Sequence, residues 1–193
     1  TSILSVADLK QVKYLVMVTT HGVIKKVTVD AFATVRRSGL IALKLKDGDE
    51  LKWVKPSRGS DEVVIVTKRG QAIRFKETDV RPMGRTAAGV RGIRLKGNDV
   101  AVGMDVVSVK ESRNAQLLSV MENGFGKRTS LTQYKVQRRG GSGIKTANIT
   151  EKTGALMSTF VLDLEALPEG MSGDLLVVSA KGQVIRLAAK TIS

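Results

Sequence analysis

The chain has 193 residues, 32 Lys and Arg against 18 Asp and Glu, and a formal charge of +14 with a sequence pI near 10.2. Cysteine is absent and histidine occurs once, which excludes disulfides, thiolate zinc sites and a cysteine nucleophile, and disfavours a histidine-built metal centre. With 42% hydrophobic but only 4% aromatic residues, the chain can fill the core of one ordinary domain yet lacks the stacking side chains of single-strand binders, so its excess charge points to a duplex or another polyanion backbone.

The first element, 2-SILSV, reads as a last strand borrowed by a neighbour. From Tyr14 onward a short apolar run, a glycine turn and a basic strand occur four times: 14-YLVMVTTHGVIKKVTV, 62-EVVIVTKRGQAIRFKE, 116-QLLSVMENGFGKRTSL and 174-DLLVVSAKGQVIRLAA. The turn glycines Gly22, Gly70, Gly124 and Gly182 are spaced 48, 54 and 58 residues apart, a propeller-like period. The first strand of each copy is nearly all apolar and β-branched, as in strands covered on both faces. The second carries bases, expected on its exposed side. Glycine at the join supplies the positive φ of a tight hairpin.

Three copies continue with a basic loop, a glycine, a strand, a polar turn and another strand. These second halves are Arg36, Arg37, Gly39, 40-LIALKL and 50-ELKWV; then Arg85, Gly89, 90-VRGIRL and 100-VAVGMDVV; then Arg138, Arg139, Gly143, 144-IKTANI and 155-ALMSTFVLD. Four strands per unit is the count of a propeller blade. Units of approximately 14–61, 62–115, 116–173 and a partial 174–193 make a single all-β domain or fragment, about three and a half blades. The chain thus reads as a segment of a larger ring, or as a ring closed by exchange of its end strands. No stretch has strong helical periodicity, and the longest apolar runs, about six residues, fall far short of the roughly 20 needed to cross a bilayer. The start TSILSVADLK is not a secretory signal. A cytoplasmic protein without membrane contact is expected.

The bases return at equivalent places: Lys25 and Lys26, Arg74 and Lys76, Lys127 and Arg128, and Arg186 after the turn glycines, with Arg36, Arg37, Arg85, Arg138, Arg139 and Lys145 around the second-half loops. Held at one height on successive blades, they would form a belt of positive potential fitted to duplex DNA. Solubilising surface charge is the plainer alternative.

At the third copy the loop reads 137-QRRGGSGIKTANI, and here the chain resembles the C-terminal domain of the A subunit of bacterial DNA gyrase. The family's box reads QRRGGKG. Gln137, Arg138, Arg139, Gly140, Gly141 and Gly143 match it, and Ser142 stands where the box has Lys. The segments 21-HGVIKKVTV, 46-KDGDEL, 73-IRFKETDVRPMG, 89-GVRGIRL and 122-ENGFGKRTSLTQY carry the resemblance over nearly the whole chain.

The resemblance implies the later blades of a six-bladed β-pinwheel, with strands exchanged between neighbours and DNA wrapped on its basic edge. Within the holoenzyme, that wrapping would support ATP-driven negative supercoiling. Gyrase B and the remainder of gyrase A would be the partners, in a bacterial, nucleoid-associated setting, with ATP and Mg used elsewhere and no cofactor in this chain. The family's principal box lies in its first blade, so residues 137 to 143 read as a secondary, box-like loop. In it, Arg138 and Arg139 offer forked donors to phosphate, and the glycines either let amides approach an oxyanion or merely connect blades. The alternatives are the corresponding domain of topoisomerase IV, usually with a degenerate or absent box, and a protein-binding propeller, which would show an apolar or mixed-charge face.

No catalytic constellation emerges. The segment from Gly141 lacks the GK[ST] ending of a phosphate-binding loop, because Ile144 interrupts it. Asp47, Asp49 and Glu50 read as an Asp-Gly hairpin turn in preference to a cation site, and His21 as a solvated loop residue. Tyr14 and Tyr134 lack the context of a topoisomerase nucleophile. Trp53 and Met104 read as packing between blades.

Overall fold

The computed structural model describes residues 12–34, 38–164 and 173–192. Among these the regular structure is β, punctuated by single turns of 3-10 helix. The four hairpins lie where the sequence places them: β1 (Tyr14–Thr19) with β2 (Val23–Thr28), β4 (Glu62–Thr67) with β5 (Gln71–Lys76), β8 (Gln116–Met121) with β9 (Gly126–Ser130), and β13 (Asp174–Val178) with β14 (Val184–Ala188). Gly22, Gly70, Gly124 and Gly182 have φ between +71° and +82°, and each amide closes its turn onto the carbonyl three residues back.

The second halves depart from the sequence reading. Their long strands β3 (Leu51–Ser57), β7 (Ala101–Val107) and β12 (Leu156–Leu162) fold back and pair antiparallel with β1, β4 and β8 of their own repeats. The segment 40-LIALKL forms no strand. Of 90-VRGIRL and 144-IKTANI only β6 (Val90–Arg91) and β11 (Ile144–Lys145) are paired, and each joins the preceding repeat's sheet, on β2 and β5 respectively. A further two-residue strand, β10 (Val136–Gln137), lies parallel to β5, with Val136 opposite Arg74. An isolated parallel bridge between Lys26 and Pro82 repeats this contact one blade earlier. The short strands stop because the chain bends over the neighbour's hairpin turn. The amides of Gly92 and Ile93 both donate to Gly22 O at 2.8 and 3.3 Å, and those of Thr146 and Ala147 to Gly70 O at 2.8 and 3.4 Å.

The sheets run β3-β1-β2-β6, then β7-β4-β5 with β10 and β11 both on β5, then β12-β8-β9, then the hairpin β13-β14. Packing between successive sheets makes the core. Val63, Ile65, Ile73 and Phe75 face the first sheet's Val16, Val18 and Ile24, while Val64, Val66 and Ala72 face Leu117, Met121 and Leu131 of the third repeat. Both faces of β4 are therefore dry, and all six of its residues are buried, which accounts for the apolar run Val63–Val66 between its polar ends Glu62 and Thr67. Met104 lies in the first of these clusters and Trp53 packs against it, as expected of packing residues. The 2-SILSV segment, Arg36 and Arg37 lie outside the described residues.

Candidate nucleic-acid interface

Three of the expected belt residues are internal. Lys25 is fully buried, and its ammonium donates to the carbonyls of Ala42 (2.8 Å), Ala87 (2.9 Å) and Arg85. Burial holds its pKa below the usual lysine value. Lys26 is buried against Glu77, 3.0 Å from both the carboxylate and the carbonyl of that residue, and 4.7 Å above the Tyr14 ring. Arg74 is buried with Glu62. The expectation that the second strands present their bases outward is thus wrong for Lys25, Lys26 and Arg74. Both faces of β2 and β5 are covered, those of β2 by the next sheet and by the loops at Ala42, Arg85 and Ala87, those of β5 by the sheets before and after it, and an unpaired cation could not be buried there.

Lys26, Arg74, Arg128 and Arg186 occupy one repeat position, each twelve residues after the opening residue of its hairpin. That opening residue is the partner in every case: the Tyr14 ring, the Glu62 carboxylate, the Gln116 Oε1 and the Asp174 carboxylate. Three of the four also donate forward to the next repeat: Lys26 to Glu77 O, Arg74 to Leu131 O at 2.5 Å and Tyr134 O at 3.3 Å, and Arg128 to Ile192 O at 2.6 Å and Lys190 O at 3.0 Å. These are the 3-10 turns that follow β5, β9 and β14. The position is a staple between blades. Arg186 makes the same intra-hairpin bond but is exposed.

The box-like loop is fastened to the second repeat. Gly140 N donates to Gly92 O at 2.6 Å, Gly141 O accepts from Arg94 N at 2.8 Å, and Arg139 donates to Asp79 O and Arg91 O at 2.9 and 3.2 Å. Gly143 has φ +73°, and a Cβ there would stand 2.5 Å from Ala72 O. Gly140 and Gly143 both lie against the second repeat, and the Gly140 amide is already spent on protein. Arg138 is exposed, Ser142 half-buried, and Gln137 lies in β10.

Exposed cations remain on more than one side: Lys52 and Arg58 lie on or beside β3, and Lys110 and Arg113 follow β7. β7 packs against both β3 and β12, so these strands converge, while β6, β9, β10 and β11 form the opposite, diverging edges. On or beside those edges lie exposed Arg91, Arg94, Lys127, Arg138 and Lys145, the last donating to Asn148 Oδ1 at 2.7 Å. Lys76 is also exposed, and Arg85 half-buried.

The sequence reading missed Arg69, Arg94 and Lys96. All three belong to the second repeat and line, at its junction with the third, a hollow of about 170 Å³ completed by Gln71, Asp99 and the third repeat's Ser142. The spacing of repeat positions could have revealed the kinship of Arg69 with His21 and of Lys96 with Lys46, but not their meeting with Ser142.

Asp49 and Asp99 are paired features of the same frame. Asp49 Oδ1 accepts from the amides of His21 and Glu50, both at 2.9 Å, and Asp99 Oδ1 from those of Arg69 and Val100, at 3.0 and 2.9 Å. Burial alone would raise Asp49, but these amides, the Thr19 hydroxyl and the nearby His21 ring hold its pKa below the usual carboxylate value. Residues 47 to 49 form a turn, closed by Asp49 N on Lys46 O at 3.1 Å, as the Asp-Gly sequence suggests, but not a hairpin, because the segment before it is no strand and β3 pairs with β1. Tyr134 is buried with its hydroxyl bonded to Thr146. Among the described residues no group of three His, Asp or Glu is placed to hold a metal, and no helix is long and apolar enough to cross a membrane.

The profile of the family described as DNA gyrase C-terminal domain, β-propeller, matches residues 13–58, 61–108, 122–163 and 173–193. The chain belongs to this family. Over all 193 residues it is 40% identical to the DNA gyrase A protein of Staphylococcus epidermidis and 38% identical to that of Staphylococcus aureus, spanning 21% of the length of each. A solved DNA gyrase A C-terminal domain matches with a TM-score of 0.77 at 30% identity, over 95% of this chain and 58% of that one. The C-terminal domain of a DNA topoisomerase IV matches with a TM-score of 0.85 at 22% identity, over 98% and 56%, a likeness of fold. The strand exchange through β6 and β11 is the form the gyrase C-terminal domain fold takes here.

Proposed function

We propose that this chain is a DNA-binding domain of a gyrase A protein, which holds duplex DNA without sequence preference against the diverging edges of its sheets and curves it. The observation that carries the reading is the placement of charge after the internal staples are set aside. Among the cations left over, Arg91, Arg94, Lys127, Arg138 and Lys145 lie on or beside the edges that face away from the converging strands β3, β7 and β12. On the converging side Lys55 pairs with Asp105 at 2.7 Å and Lys52 with Glu50 at 2.6 Å.

The repeat units near 14–61, 62–115, 116–173 and 174–193 would act as successive blades of one domain. Each phosphate that is neutralised releases counterions, giving a log–log salt slope of about −0.9 per contact. Smooth bending of a 20–30 bp segment costs on the order of 1–6 kcal/mol, which many weak phosphate contacts along a convex edge can offset. In the holoenzyme this wrap would feed a DNA segment to strand passage, with the remainder of gyrase A and with gyrase B as partners. ATP, Mg and the cleaving tyrosine would be supplied there, since Tyr14 and Tyr134 are committed to packing in this chain. The setting would be the bacterial cytoplasm at the nucleoid.

The fold match to topoisomerase IV supports the corresponding domain of that enzyme as a second reading. The box-like loop and the 40% identity to gyrase A favour gyrase. Ligation of nicked circular DNA in the presence of the chain tests the proposal. A shift in linking number is expected, and its sign gives the hand of the wrap. Relaxed products indistinguishable from those of protein-free DNA, at concentrations that saturate binding, would defeat the wrapping claim.

A further inference from the structure

We propose that the hollow between the second and third repeats, bounded by Arg69, Arg94, Lys96 and Ser142, is a seat for a single backbone phosphate of duplex DNA. The inference rests on the DNA-binding reading above and assigns one contact within it. The hollow measures about 170 Å³, smaller than the roughly 300 Å³ at which pockets for drug-sized molecules begin. Three cations and one carboxylate face it. The carboxylate, Asp99, is already held by two backbone amides, leaving net positive charge in a concave site, where fields are focused.

Each wall is fixed by the fold. Arg69 stands before the turn glycine Gly70, its guanidinium steadied by Asn98 Oδ1. Lys96 and Asp99 flank the next turn, closed by Asp99 N on Lys96 O at 3.2 Å. Arg94 is positioned by its amide on Gly141 O, the same contact that brings Ser142 of the box-like loop to the rim. Arg69, Arg94 and Lys96 line one hollow with a single carboxylate among them, and guanidinium forks match phosphate oxygens.

The arrangement recurs one blade earlier. A hollow of about 630 Å³ is lined by His21, Lys46, Asp49 and Ala88, the repeat equivalents of Arg69, Lys96, Asp99 and Ser142, and Arg94 lines both. That earlier hollow is wider and less positive on balance, with Lys46, Arg91 and Arg94 set against two carboxylates, Asp49 and Asp99. At the third junction Asn123 takes the place of Arg69, beside Glu122, and the charge pattern ends. Ser142 stands where the family box carries Lys. Arg94 and Lys96 of the preceding repeat therefore supply from across the junction the charge that the loop itself lacks.

The test measures binding of the 193-residue chain to a fluorescent duplex of about 40 bp across a salt series. The variants are Arg94→Ala with Lys96→Ala, and separately Ser142→Glu, which places a carboxylate in the hollow without removing any wall. Each variant is expected to weaken binding several-fold at every duplex sequence and to reduce the log–log slope by about 0.9, the loss of one phosphate. Wild-type chain that fails to bind the duplex would sink the DNA-binding reading itself. Wild-type binding with both variants unchanged in affinity and slope would overturn the phosphate seat alone. Should the double variant unfold, Ser142→Glu decides by the same two criteria. Calorimetric titration with inorganic phosphate separates the remaining source: saturable binding abolished by Ser142→Glu, with the duplex slope unchanged, would assign the hollow to free phosphate and refute the proposal.

Discussion

Arg74 donates through Nε and Nη2 to Glu62 Oε2, at 2.8 and 2.5 Å, and through Nη1 to Leu131 O of the following repeat at 2.5 Å. One guanidinium thus closes its own hairpin and fastens the next blade, and Ser112 Oγ at 3.0 Å takes a further donor. A cation this thoroughly bonded has none of its charge to offer a polyanion. Its value lies in registering one sheet against the next.

Arg74→Ala should therefore behave as a folding mutation. Removing it strands the Glu62 carboxylate in a dry junction, and breaking a buried pair from one side costs about 3–5 kcal/mol. Urea denaturation should show the loss. Replacing both partners with apolar residues, Arg74→Met with Glu62→Leu, should restore much of it. A double variant as unstable as the single one would count against the pairing account.

The exposed set should separate from the staples in a binding assay. Alanine at Lys127, Arg138 and Lys145 is expected to weaken duplex binding at all sequences and to flatten its salt slope by up to about 0.9 per phosphate lost, with the denaturation midpoint unchanged. Alanine at Arg128 should instead lower the midpoint, because its guanidinium holds Ile192 O and Lys190 O.

Glycine substitutions should sort by what a Cβ would meet. Gly124 and Gly143 both have positive φ, but a Cβ at Gly124 has nothing within 4 Å, whereas at Gly143 it collides with Ala72 O. Gly124→Ala should cost roughly 1–2 kcal/mol of backbone strain. Gly143→Ala should cost clearly more and shift the β11–β5 pairing, visible as faster amide exchange at Lys145 and Thr146.

Acid should remove the contribution of Asp49. Folding lowers its pKa, so the stabilisation is present above the unfolded carboxylate value and is lost as pH falls through the folded one. The stability gap between wild type and Asp49→Asn, measured by urea denaturation, should be full at about pH 7 and shrink below about pH 4. Asp47→Asn, at the exposed neighbouring position, should leave stability unchanged throughout. A gap that persists unchanged at low pH would mean that the Asp49 carboxylate charge plays no part.

The sequence by itself determined the hairpins, their turn glycines, the doubly covered inner strand and the repeat that makes the family recognisable. All of these follow from local rules: alternation and apolar runs set by the pleat, and positive φ that glycine alone enters freely. Even the partner of each staple was legible in principle, twelve residues before its cation. Tertiary structure alone decided which charges reach water. Lys26 and Arg138 are both cations in a basic repeat, yet one is sealed under the next sheet and the other stands on an open edge. It also decided that Val90 and Ile144 extend a neighbour's sheet, and that Arg69, Arg94 and Lys96 converge on Ser142. These outcomes depend on how one repeat is rotated onto the next, a relation carried by bonds between residues tens of positions apart. No local pattern of side chains encodes it.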